Sequence, residues 1–265
     1  VDFATRHGAY EIPAGANAIT AMRRISSGGQ TPVRITINGF RDLDLLCSRI
    51  AAKMEFSEAD MREALADPAT LLPYHLSFNQ ALALFLDDTY EVYWTTSPRE
   101  LIAKIGSNYS RYWNTANRNK AEALGISPAD ATIIASIADE ETNKAAEKGT
   151  IGRLYINRLK KGMRLQSDPT IRFALRDYSI RRVTRKHLGV DSPYNTYAHA
   201  GLPPGPIRTT SRTTLDAILN SEPSNYLYMC AKEDFSGTHN FASTFEEHSK
   251  NARLYQKALN ERGIH

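Results

Sequence analysis

The stretch at residues 127–143, SPADATIIASIADEETN, restricts what this chain can fold into more than any other. It opens Ser127-Pro128-Ala129-Asp130: a hydroxyl N-cap, a proline at the first helical position and a carboxylate at the third. At 3.6 residues per turn, Ile134, Ala138 and Glu141 share one stripe, flanked by Ala131 and Ile137. Thr132, Ser136, Asp139 and Asn143 fall on the opposite face, which the pattern assigns to solvent. A carboxylate therefore stands where an apolar side chain belongs. Held against apolar surface, Glu141 would lose the hydration that favours its charge, so its pKa would rise. A carboxyl that keeps a proton near neutrality is what a general acid requires. Periodicity leaves a second reading open, in which the helix simply ends and Glu141 turns to solvent or pairs with Lys144 or Lys148. Asp139 and Glu140 read as solvated charges.

At 265 residues the chain has room for one large domain or two smaller ones. Its 42% hydrophobic and 23% charged residues are ordinary for a globular protein, and no apolar run has the length of a membrane span. The net charge of +4 would suit a polyanion or an anionic wall without identifying either. No basic run is interleaved with aromatics as a nucleic-acid face would be. Arg181, Arg182, Arg185 and Lys186 read as a solvated face. Cys47 and Cys230 fit no metal or redox spacing and read as two lone buried thiols.

The first 88 residues read as a small α+β module. AYEI at 9–12 alternates like a short strand, 18–25 forms a short helix, and VRITI at 33–37 alternates as a half-buried strand before Asn38-Gly39. Helices follow over 42–53 and from the capping box at Ser57 to Asp60. Next comes the β-rich run TYEVYW at 89–94. A long helix then starts at Ser97-Pro98, its aromatics Tyr109, Tyr112 and Trp113 reading as core. The polar segment 117–123 reads as a connection. A further helix spans 145–161, ended by Gly162. Asp168-Pro169 starts a short helix with Asp168 as N-cap. Residues 191–210, rich in Pro, Gly, Tyr and Asn, form a long stiff loop that either grips a carbohydrate or is purely structural. A short helix at 211–219, strands near 226–231 and 239–241, and a terminal helix capped by Thr244 complete the chain.

One acid with no second carboxylate at motif spacing is unusual for a glycosidase, which ordinarily uses two. Asp168, Asp191, Glu233 and Asp234 could serve as the second only if folding brings one near. Otherwise the route is intramolecular: Glu141 protonates the glycosidic oxygen, then takes a proton from a hydroxyl of the same sugar as that hydroxyl closes a ring. No phosphate loop, nucleophile elbow, HExxH or dinucleotide fingerprint is present.

The order of motifs resembles one family. ASIADEET at 135–142 is followed by YINRL at 155–159, GMRLQSDPT at 162–170, YNTY at 194–197, GLPPGPI at 201–207 and HNF at 239–241. The series is similar to the endolytic murein transglycosylases, the YceG-like family. It departs from the family's usual Val-Glu-Lys-Glu-Thr before the glutamate, and from Asn-Pro-Gly where this chain has Arg208-Thr209-Thr210.

The resemblance implies an α+β protein: a LysM-like module over residues 1–88, then a mixed α+β catalytic domain over 89–265 with its catalytic glutamate on a helix. By position that glutamate is Glu141. Gln166, Asp168, Tyr194, Asn195, Tyr197, His239 and Asn240 fall on the family's glycan-cleft motifs. Implied too are cleavage of MurNAc–GlcNAc bonds within peptidoglycan strands to leave 1,6-anhydro-MurNAc ends, and no cofactor or metal. The implied place is the outer face of the bacterial cytoplasmic membrane, near peptidoglycan synthases and held by a single N-terminal anchor lying outside this chain, with no nucleic-acid partner. A water-using muramidase and a non-catalytic glycan-binding module remain the alternatives.

Overall fold

The computed structural model describes residues 6–262. They form a mixed α+β structure in two compact units, 1–111 and 112–265. In the first, strands β1 (Val33–Ile37) and β2 (Asp88–Val92) pair antiparallel, with Val33 opposite Val92 and Ile37 opposite Asp88. Ile35, Ile37, Tyr90 and Val92 point inward, while Arg34, Thr36, Thr89 and Glu91 point to solvent, the period-2 pattern of a half-covered ribbon. Because β2 pairs with β1, the first unit runs beyond residue 88. Helix α1 (Ala18–Ser26) precedes the ribbon. Between the strands lie α2 (Leu43–Ala51), α3 (Glu58–Ala66) and the single turn α4 (Pro68–Leu71). Leu46, Cys47 and Ile50 from α2, and Met61 and Leu65 from α3, are buried. The Ser57–Asp60 capping box is formed as the sequence predicts. The alternating segment 9–12 is not a strand; its contacts are irregular, with the Thr31 amide on the Ala9 carbonyl and the Glu11 amide on the Thr31 hydroxyl.

Helix α5 (Pro98–Tyr112) leads to the second unit. Tyr109, Tyr112 and Trp113 are buried, as expected of core aromatics. The polar segment read as a connection is a helix, α6 (Thr115–Leu124), capped by the Asn114 side chain. Only Ala121 and Leu124 of it are buried, so no apolar stripe betrays it.

At the centre of the second unit is α7 (Pro128–Glu141), opened by the Ser127–Asp130 capping box. It is enclosed on all sides, not amphipathic. Thr132 and Ser136, assigned to solvent by the periodicity, are both 0% exposed. Their hydroxyls are satisfied without water: Thr132 donates to the Pro128 carbonyl, while Ser136 donates to Ile133 and accepts the Ile207 amide. Helices α8 (Ala145–Lys160), α9 (Asp168–Leu175) and α10 (Arg212–Leu219) pack around it. Gly149 and Gly152 let α8 approach α10 closely. A Cβ at 149 would stand 2.6 Å from the Ala217 carbonyl oxygen, and one at 152 would stand 2.5 Å from Ile218. The hairpin of β3 (Tyr228–Ala231) and β4 (His239–Ala242), followed by α11 (Phe245–Glu261), completes the unit. Among the described residues no helix is long and apolar enough to cross a membrane, and both cysteines are free.

Candidate active site

Glu141 is the last residue of α7, where the helix delivers it to a cleft of about 390 Å³ within the second unit. Helix α8 supplies Leu154, Tyr155 and Arg158 to the walls, the segment before α9 supplies Gln166, the first residue of α9 supplies Asp168, and the long loop supplies Tyr197. The β3–β4 hairpin contributes Tyr228 and His239, and α11 contributes His248.

Two hydroxyls hold the carboxyl. Tyr155 donates to Glu141 Oε1 at 2.6 Å and Ser167 donates to the same atom at 2.7 Å. Neither hydroxyl bonds Oε2. Two neutral donors on one oxygen leave the other as the place for a proton. Burial raises the Glu141 pKa above its ordinary value, the Tyr155 and Ser167 hydroxyls pull it down, and the nearby Asp168 charge pushes it up again. A positive charge on His239 would act in the carboxylate's favour. The Tyr155 phenol, buried and beside Glu141, is held far above its usual range and stays a donor.

The neighbouring acids are not solvated, contrary to the sequence reading. Asp139 accepts from Lys148 Nζ at 2.6 Å, from Thr210 Oγ1 at 2.5 Å and from Thr214 Oγ1 at 2.7 Å. Glu140 accepts from Arg208 Nη1 at 2.8 Å, both side chains largely buried. Thus the Arg208-Thr209-Thr210 segment supplies counter-charge and a hydroxyl to the two acids preceding Glu141. Lys148 answers Asp139, and among the described residues no lysine or arginine forms an ion pair with Glu141.

Of the other positions singled out from sequence, Gln166, Asp168, Tyr197 and His239 line the cleft with Glu141. Gln166 adopts a left-handed backbone (φ 51°), its amide on the Thr196 carbonyl and its side-chain oxygen on Arg158 Nη2 at 2.7 Å. Asp168 is not the N-cap of α9 but its first residue, since Ser167 occupies the cap position. That frees its carboxylate to accept from Tyr197 Oη at 2.5 Å. His239 is fixed by Glu147, which accepts from its amide at 2.7 Å and pairs with Nδ1 at 3.0 Å. The remaining three lie elsewhere. Tyr194 packs on Phe173, ring centroids 4.6 Å apart. Asn195 is buried, its amide nitrogen on the Leu188 and Val190 carbonyls and its oxygen taking the Tyr197 and Ala198 amides. Asn240 alternates with His239 on β4 and donates to Glu233.

The long loop has a structural task as well. Thr196 takes the Ser167 amide on Oγ1 and the Gln166 amide on its carbonyl, and its hydroxyl pairs with Thr170, so it fixes the turn that aims Ser167 at Glu141. Tyr155, Arg158 and Ser167 are site residues that the sequence reading quoted within motifs but gave no role. Tyr155 lies on the apolar side of α8, where a phenol reads as core. No group of three or more His, Cys, Asp or Glu among the described residues is arranged to hold a metal ion.

The model of the family described as YceG-like matches residues 2–254. An endolytic murein transglycosylase of Bacillus subtilis (strain 168) is 35% identical over 164 residues, 62% of this chain and 43% of that protein. An endolytic murein transglycosylase of Streptococcus pneumoniae serotype 2 is 30% identical over 156 residues, 57% of this chain and 27% of that protein. The alignments thus span less than half the length of these curated relatives. A crystal structure of a yceG-like protein from Listeria monocytogenes superposes with a TM-score of 0.69 at 28% identity, covering 91% of this chain and 83% of that one.

Proposed function

Because this chain belongs to the YceG-like family, we propose that it is a peptidoglycan lytic transglycosylase with Glu141 as acid and then base. The observation that carries the reading is the carboxyl itself: half-buried, raised in pKa by desolvation, anchored through Oε1 by Tyr155 and Ser167, and lining a cleft. Two relatives named endolytic murein transglycosylase support peptidoglycan as the substrate class. In the forward step Glu141 transfers its proton to the oxygen between MurNAc and GlcNAc, and the bond from C1 of MurNAc to that oxygen breaks. The GlcNAc end leaves as an alcohol and positive charge develops at C1. Glu141, now ionised, takes the proton of the C6 hydroxyl of the same MurNAc while O6 bonds to C1. The 1,6-anhydro ring closes, the acid is restored, and no water is consumed.

Gln166, Asp168, Tyr197 and His239 are proposed to contact the glycan from the cleft walls. Tyr194 and Asn195 would act through the loop they hold, and Asn240 through the hairpin. The first unit is proposed as a LysM-like module, its end moved past residue 88 to include β2, and the second as the catalytic domain. A place outside the cytoplasmic membrane, beside peptidoglycan synthases and under a single-helix anchor, fits the same reading.

Asp168 favours one further reading. It shares the cleft, and its charge is felt at Glu141. A carboxylate so placed could activate water, making a muramidase. Mass spectrometry of purified sacculi digested by the wild type and by Glu141→Gln separates the two. Anhydro-muropeptides from the wild type alone are the expected result. Reducing ends would replace the transglycosylase with the hydrolase, and products from Glu141→Gln would remove Glu141 from the chemistry.

A further inference from the structure

Arg158 carries a charge that the fold does not answer. The residue is only 6% exposed, yet it lines the cleft with Glu141. Nε donates to the Arg164 carbonyl at 2.9 Å, Nη1 to the Leu227 carbonyl at 2.7 Å and Nη2 to Gln166 Oε1 at 2.7 Å. All three acceptors are uncharged. A guanidinium has five N–H groups, so one on each Nη remains. Around it stand the phenols of Tyr155, Tyr197 and Tyr228, and the Tyr228 ring centroid lies 5.8 Å from Cζ. Burial lowers the Arg158 pKa, and no carboxylate is among the groups that raise it. Asp168, across the same cleft, is held by Tyr197 instead.

Buried charges are ordinarily paired, as Asp139 is with Lys148 and Glu140 with Arg208. A clamp on the chain before β3 does not need a charge. Asn157, one residue earlier, grips the Ser224 and Tyr226 carbonyls with a neutral amide. What an arginine adds at 158 is a positive potential in the cleft and two unused donors.

We propose that Arg158 forms a carboxylate subsite beside Glu141, which recognises an acidic group carried by the muramyl residue of the glycan. The subsite rests on the peptidoglycan reading given above. Two carboxylates of such a strand fit: the lactyl group of a stem-free MurNAc, or an acid of the peptide stem. Arg suits either, because its planar fork matches a carboxylate bidentately.

Glu141→Gln protein, which should bind without cutting, is titrated calorimetrically with three tetrasaccharides of alternating GlcNAc and MurNAc. The first is stem-free with free lactyl carboxylates. The second is the same strand converted to uncharged methyl amides. The third carries peptide stems through the lactyl group. Binding about tenfold tighter for the free carboxylates than for the methyl amides would assign the lactyl group. The same advantage for the stem-bearing strand alone would assign a stem carboxylate. Arg158→Gln added to this protein should abolish either advantage, and should a fold defect follow, the three-ligand comparison stands without it. Equal binding of all three strands, or an advantage that survives Arg158→Gln, overturns the subsite and leaves the transglycosylase standing. Failure to bind any strand overturns both.

Discussion

Glu141→Gln should make this protein more stable at neutral pH while removing the proposed transglycosylase activity. In the folded chain burial holds the Glu141 carboxyl above its ordinary value despite the two hydroxyl donors. The unfolded chain has no such burial and releases the proton near the free value of 4.5. Below that pH both states hold the proton, and Glu141 favours neither. Between the free and the raised folded pKa the unfolded state binds fewer protons, so stability falls as pH rises, and it stays reduced above the folded value. Each pH unit separating the two values amounts to about 1.4 kcal/mol. In a domain of roughly this size each kcal/mol moves Tm by about 2–4 °C. Glutamine has no proton to lose, and its side-chain oxygen can still accept from Tyr155 and Ser167. Scanning calorimetry of both proteins from about pH 4 to pH 8 spans the window. The variant's Tm advantage should be smallest at the acid end and grow with pH. A difference that stays constant, or that turns against the variant as pH rises, would refute the account of an acid whose pKa is raised by the fold.

Three other outcomes follow from the same geometry. Tyr155→Phe removes a donor that favours the carboxylate, so the alkaline limb of kcat/KM against pH should move to higher pH, and movement to lower pH would contradict the role given to that hydroxyl. Asp139→Ala strands Lys148 and should lower stability by about 3–5 kcal/mol in urea unfolding, where loss of a solvated acid would cost at most about 0.5 kcal/mol. Gly149→Ala should destabilise by about 1–3 kcal/mol through its clash with Ala217, reversing the roughly 1 kcal/mol that alanine usually gains over glycine inside a helix. Chemical denaturation of the purified variant gives the sign directly.

Local chemistry was the legible part of this sequence. Hydroxyl caps at Ser57, Ser127 and Thr244 mark three helix starts correctly, because a cap is satisfied within four residues of itself. The alternation of 33–37 reads true because β1 has one covered face. Periodicity fails for α7 because it presumes a wet side, and Thr132 and Ser136 need none when backbone groups satisfy them. It fails for α6 in the opposite way, since a nearly bare helix has no stripe to find. At the site, the stripe singled out Glu141 but could not supply its partners. Ser167 reaches it from a turn fixed by Thr196, while Glu140 and Asp139 are answered by Arg208 and Thr210. Such pairings belong to the closed fold, and no spacing along the chain encodes them.

The last turn of α7 places three carboxylates in a row at the end where the aligned peptide dipoles sum to a partial negative charge. That is the least hospitable end of a helix for an anion, and no basic residue sits in the turn to soften it. Lys148 and Arg208 relieve Asp139 and Glu140 from outside the helix. Glu141 has neither of these partners, so the dipole adds to the burial that already raises its pKa. An engineer who sought a steadier protein by placing a lysine beside this terminus would succeed by the usual rules of helix design. The same lysine would lower the Glu141 pKa, and with it the capacity to donate a proton that the proposed mechanism asks of it.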